Sequence, residues 1–157
     1  MSVVYSLTRF WEERTRVKIG LLEDNIAIHE YMMIALQLKG HSVVTHTCGS
    51  SLLAKLFTEH GIHLPQPYDL VIIDLLLPGM FSGAAVIDHI RQSISPETLP
   101  IIVVSALSPS NLEEIQKRYP DIQILRKPFP MKTLLQMIET SKDTGQTSNS
   151  PDVNGEV

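Results

Sequence analysis

The sequence predicts an α/β domain in which a parallel β-sheet is covered on both faces by helices. Five short strand-like stretches alternate along the chain with stretches of helical periodicity. The strands are near-continuously apolar, Val71-Ile72-Ile73-Asp74 and Pro100-Ile101-Ile102-Val103-Val104 above all. Strands buried on both faces read that way, whereas half-exposed strands alternate. At 157 residues, 43% hydrophobic and 19% charged, the chain can bury one proper core.

Residues 17–22 read as the first strand, closed by Glu23-Asp24-Asn25. Residues 26–39 then bring Ile28, Tyr31, Met32, Ala35 and Leu38 near helical spacing, and Gly40 supplies the stop. A short second strand covers 42–47, and Ser50 or Ser51 caps a helix running to about residue 59. Pro65 and Pro67 mark 60–67 as a loop before the third strand at 70–74. A helix at 83–93 leads to the fourth strand, 99–105, whose Pro100 is tolerable only near the strand's start. Helix 111–119, strand 122–126 and helix 131–140 complete the alternation. These connections permit a doubly wound sheet with its site at the carboxyl edge.

The domain is expected to span 17–140. Residues 1–16 form an N-terminal extension in which Phe10 and Trp11 sit beside Glu12, Glu13, Arg14 and Arg16. That extension is either a short helix docking by its aromatics or a loose arm. Residues 141–157 are polar and rich in Ser, Thr, Asn, Asp and Gly, so they are expected to form a disordered tail that cannot offset ordering. A net charge of -4, with no Lys/Arg block, argues against a nucleic-acid surface. No apolar run is long enough to span a bilayer, and residues 1–11 lack the basic start of a signal peptide. Cys48 is the single cysteine, so a disulfide framework and a Cys-rich zinc site are both excluded, and a reducing, cytoplasmic setting is expected. His60 and His63 are close but have no third ligand nearby. Met32, Met33 and Met137 suit helix core or surface.

Reactive side chains collect where the strands should finish. Glu23 and Asp24 follow the first, Asp74 ends the third, Ser105 ends the fourth and Lys127 follows the fifth. A parallel sheet brings these ends to one edge. Clustered carboxylates repel one another and favour a hard cation, for which Mg²⁺ is the natural choice. A hydroxyl and an ammonium beside them suit the oxygens of a phosphoryl group. Taken singly, each residue has a plainer reading. Asp74 would serve the turn at Pro78-Gly79, Glu23-Asp24 would cap a helix, Ser105 would be a small packed residue and Lys127 a solvated charge.

The segments Leu21-Leu22-Glu23-Asp24-Asn25, Val71 through Met80, Val103-Val104-Ser105-Ala106-Leu107 and Leu125-Arg126-Lys127-Pro128-Phe129 together resemble the receiver domain of two-component response regulators, over roughly residues 17–140. The resemblance implies a flavodoxin-like, CheY-like fold: five parallel strands in the order 2-1-3-4-5 with five helices on both faces. It implies that Asp74 is the phosphoacceptor for a sensor histidine kinase or phosphotransfer protein. Asp24 would bind Mg²⁺ directly with Glu23 helping, and the backbone carbonyl of Leu76 would complete the protein ligands. Ser105 would be the switch hydroxyl, and Lys127 would pair with the phosphoryl group across a cis Lys127–Pro128 bond.

The chain departs from the family pattern at several points. The turn after Asp74 is one residue longer, with Phe81 as the insertion, and loop 60–67 is extended. Ile124 stands where an aromatic is usual, so the coupling of a ring to the switch hydroxyl is put in question. Leu76 and Leu107 take positions that border the attacking water; apolar groups there predict a slowly hydrolysing acyl phosphate. The function expected is a stand-alone receiver that catalyses its own phosphorylation and slow autodephosphorylation. It would signal by protein contact through the fourth helix, fifth strand and fifth helix, to an effector or to a second copy in a homodimer, with no nucleic acid and no membrane. The competing reading is a receiver-shaped interaction module that works without phosphorylation. A metal-dependent phosphatase ranks last, for want of a second carboxylate for acid catalysis.

Overall fold

The computed structural model of the chain describes residues 16–79 and 82–143. The expectations for Phe10-Trp11, for Phe81 and for the tail beyond residue 143 fall outside the described residues. The element order is β1 (Lys18–Leu22), α1 (Ile26–Leu38), β2 (Ser42–His46), α2 (Gly49–Leu56), β3 (Phe57–Thr58), β4 (Gly61–Ile62), β5 (Leu70–Asp74), α3 (Gly83–Arg91), β6 (Ile101–Ser105), α4 (Pro109–Arg118), β7 (Gln123–Arg126) and α5 (Met131–Asp143). Five strands form one parallel sheet in the order β2-β1-β5-β6-β7. This is the flavodoxin-like order 2-1-3-4-5 once the small β3–β4 pair is set aside.

Side-chain alternation divides the core into two layers. Leu22, Val71, Ile73, Ile101 and Val103 pack with Leu52, Leu56, Val86, Ile87, Ile90 and Leu112 of α2, α3 and α4. On the other face Ile19, Leu21, Ile72, Ile102 and Val104 meet Met32 and Leu36 of α1 and Leu134 and Ile138 of α5. β5 and β6 are buried at every position, which explains their unbroken apolar sequences.

Helix starts follow local chemistry. Asn25 Oδ1 accepts from the N–H groups of Ala27 and Ile28, Ser82 Oγ from Ala85 and Ser108 Oγ from Asn111. α2 differs from expectation. Its N-cap position is Cys48 without a side-chain capping bond, and Ser51 turns its hydroxyl to His46 instead. α2 also stops at Leu56, because Phe57 is already extended at φ -124°, ψ 150° and pairs with Ile62 in an antiparallel hairpin. The helix expected to run to residue 59 is therefore corrected, and an aromatic followed by a β-branched residue suits the strand that replaces it. The Phe57 ring meets His89 of α3 edge-on, with centroids 4.9 Å apart. At the other end, α5 continues to Asp143, so residues 141–143, assigned to the tail, belong to the helix. No helix among the described residues is long and apolar enough to cross a membrane.

Candidate functional site

Because the strands are parallel, β1, β5, β6 and β7 finish at one edge, and the five side chains singled out in the sequence lie there. Ligand oxygens of Glu23, Asp24 and Asp74 fall within 4.8 Å of one another. Glu23 is 1% exposed and Asp74 4%, while Asp24 is half-buried. Carboxylates so placed need partners. Lys127 supplies them: its Nζ donates to Glu23 Oε2 at 2.7 Å and to Asp74 Oδ2 at 2.8 Å. Burial alone would lower the pKa of this ammonium, but the bonds and charges of Asp74 and Glu23 outweigh that effect and hold it above the ordinary lysine value.

Each group is fixed by its own backbone. Lys127 N–H donates to Ser105 O at 2.8 Å, and the Lys127–Pro128 bond is cis. Asp74 Oδ1 accepts from Leu76 N–H at 2.9 Å. Glu23 Oε1 accepts from Asn25 N–H at 3.1 Å, and Glu23 N–H donates to the main-chain oxygen of His46 at 3.0 Å. From behind, α3 presses directly on the Asp74–Leu75 main chain: a Cβ at Gly83 would lie 2.3 Å from Asp74 O and 2.6 Å from Leu75 Cα. Only glycine permits that approach.

Ser105 is fully buried at the end of β6, beside β5, where Val104 is the register partner of Asp74. Its Oγ accepts from Leu107 N–H at 3.3 Å. Leu76 is 50% exposed, and Leu107 is partly buried against the core under α2, α3 and α4. Ile124 packs against that same core. Three carboxylates against one ammonium leave the edge with an excess of negative charge. An all-oxygen donor set of this kind fits a hard divalent cation such as Mg²⁺. Among the described residues no other group of three or more His, Cys, Asp or Glu side chains comes together in this way.

Sequence reasoning missed the supports beneath these residues. His46 and Tyr68 meet at 2.7 Å although they are 22 positions apart, and no spacing rule joins them. Gly83 carried a legible clue, a glycine opening a helix just after the turn that follows Asp74, but its proximity to Asp74 is a tertiary fact.

Comparison with known proteins agrees with this geometry. The response regulator receiver domain family matches residues 19–139. The chain belongs to that family. It is 27% identical over 138 residues to the response regulator ArlR of Staphylococcus saprophyticus, a match covering 88% of this chain and 58% of the relative. The chain thus spans little more than half the length of the curated relatives it matches. Among solved structures, a CheY-like receiver domain protein from Methanospirillum hungatei superposes with a TM-score of 0.67 at 20% identity, covering 81% of this chain and 94% of the other. The Vibrio cholerae chemotaxis protein CheY4 gives 0.67 at 24% identity, covering 80% and 98%. These likenesses carry the fold.

Proposed function

We propose that this chain is a phosphorylation-dependent receiver, in which Asp74 takes a phosphoryl group from a sensor histidine kinase or phosphotransfer protein and the resulting state is read by a protein partner. The observation that carries this reading is the Lys127 ammonium shared between Glu23 and Asp74 inside a three-carboxylate cluster. A purely structural edge would have little use for so much buried charge.

Glu23, Asp24, Asp74 and the Leu76 carbonyl would hold Mg²⁺, which supplies charge neutralisation for phosphoryl oxygens. An oxygen of Asp74 attacks phosphorus, the phosphorus–nitrogen bond of the donor phosphohistidine breaks, and the departing imidazole keeps the bond's electron pair and takes up a proton. The product is an acyl phosphate on Asp74. Lys127, already 2.8 Å from the acceptor oxygen, balances the charge of the incoming group, and the buried Ser105 hydroxyl offers it a donor. Leu76 N–H holds the other Asp74 oxygen, leaving one oxygen oriented for attack. The setting proposed is cytoplasmic, and the output surface is the α4, β7 and α5 face.

Incubation with acetyl phosphate and Mg²⁺, or titration with beryllofluoride, tests the proposal. Asp74 becomes labelled and Asp74→Asn does not; equal labelling of Asp74→Asn would defeat it. Ile124, in place of the usual aromatic, favours one competing reading, a receiver-shaped module that works without phosphate. Failure of the wild-type protein to respond to either reagent would select that reading.

A further inference from the structure

The edge strand β2 is thinly anchored. Of its five residues only His46 is buried, and Val44 points largely to solvent. Among the described residues its outer edge has no neighbour in the sheet. Yet the last residue of β2 supplies the main-chain oxygen on which the Glu23 N–H rests, at 3.0 Å.

The His46 ring is held from two directions. Its Nδ1 lies 2.8 Å from Ser51 Oγ on α2, and its Nε2 lies 2.7 Å from the Tyr68 hydroxyl. Tyr68 stands two residues before β5, the strand that ends in Asp74. To reach His46 its ring passes over β1 at Gly20, where a Cβ would sit 2.8 Å from Tyr68 Cδ2. The hydroxyls of Tyr68 and Ser51 can each donate or accept, so both ring nitrogens of a neutral imidazole are satisfied in either tautomer. The result is a strap across one face of the sheet, from the entry of β5, over β1, to the end of β2.

We propose that His46, held by Tyr68 and Ser51, is a positioning residue for Glu23, and that this strap tunes the affinity of the carboxylate cluster for a divalent cation. The inference rests on the reading of Glu23, Asp24 and Asp74 as the metal-binding groups. Tyr68→Phe keeps the ring over Gly20 but leaves one buried nitrogen without its partner. The end of β2 then relaxes, and the Glu23 main chain moves with it. Outer-shell partners of metal ligands commonly govern affinity in this way, and one hydrogen bond further out the effect expected is about threefold to tenfold.

The test is a Mg²⁺ titration of the full chain followed by the amide NMR shifts of Glu23, Asp24 and Leu76, with urea unfolding in EDTA run beside it. Tyr68→Phe and Ser51→Ala are each expected to weaken Mg²⁺ and to displace the Glu23 amide resonance before metal is added. Ser51 is exposed, so that variant keeps the test open should Tyr68→Phe fold poorly. A strap that merely stabilises the fold would lower the urea midpoint while leaving the Mg²⁺ affinity unchanged. Wild-type binding with unchanged affinity in both variants therefore overturns this inference alone. A wild-type protein with no saturable Mg²⁺ response overturns the metal reading and this inference together.

Discussion

Tyr119, the residue that closes α4, donates its phenolic hydrogen to Asp88 of α3 at 2.5 Å, and the same hydroxyl lies 3.2 Å from Ala84 O. Arg118 pairs with the other oxygen of Asp88, and Arg91 of α3 pairs with Asp121 just beyond α4. Burial and the Asp88 carboxylate together hold the phenol well above its ordinary pKa, so it remains a donor. The far end of α4 is thus fastened to α3, while its near end follows directly from Ser105 and Leu107. Tyr119→Phe is expected to destabilise the protein by about 1.5–3 kcal/mol in urea unfolding, the usual range for a bond to a charged acceptor. A double-mutant cycle with Asp88→Asn should show coupling; strict additivity would remove this link.

Lys127→Met leaves Glu23 and Asp74 buried beside each other without their counter-charge. Breaking a buried ion pair from one side costs about 3–5 kcal/mol, and that loss is expected in EDTA. Added Mg²⁺ should restore part of it by occupying the same carboxylates. A variant as stable as the parent in EDTA would contradict the shared ion pair.

Gly83→Ala places a methyl group against the Asp74 main chain, where backbone rather than a flexible side chain must yield. Overpacking of this kind costs about 1–3 kcal/mol. Urea unfolding measures it, and the Asp74 and Leu76 amide resonances should shift as α3 is pushed away.

His41 Nδ1 accepts from Val17 N–H at 3.3 Å, so the folded state needs that nitrogen unprotonated. Burial is the main cause lowering its pKa below 6.5, Lys142 adds to it, and Glu139 opposes it. The unfolded chain therefore binds more protons here, and the folded state gains stability as pH rises. That contribution is complete above the ordinary value of 6.5 and is lost as pH falls through the lower folded value. Melting temperatures measured across this range should fall on acidification, and His41→Asn should flatten the slope.

Leu76 and Leu107 offer no hydrogen bond to an attacking water. Autodephosphorylation of the wild-type acyl phosphate is expected to be slower than that of Leu76→Asn/Leu107→Glu, followed by loss of label with time. Equal rates would remove the proposed role of these leucines.

The strands of the sheet were legible in sequence because each is an apolar run bounded by turn residues, and the meeting of Glu23, Asp24, Asp74 and Lys127 because a parallel sheet must gather its strand ends. The boundary of α2 was not. Phe57-Thr58 continues an apolar, helix-compatible stretch, and the competing hairpin depends on Gly61-Ile62 returning to pair with it. Ser50 or Ser51 as a cap is the commonest local use of a serine there, whereas Ser51 bonds to His46 on another element. The Asp88–Tyr119 and His46–Tyr68 links join residues 31 and 22 positions apart, which no local periodicity encodes.

The β3–β4 pair exchanges its ladder bonds within itself and adds no rung to the main sheet. Chain length can therefore grow or shrink at this corner without shifting any strand that carries the acidic edge. The hairpin is a site of tolerance. Homologous chains are expected to differ more in residues 57–67 than at the strand tips, and a short epitope grafted there should leave the proposed phosphoryl uptake intact.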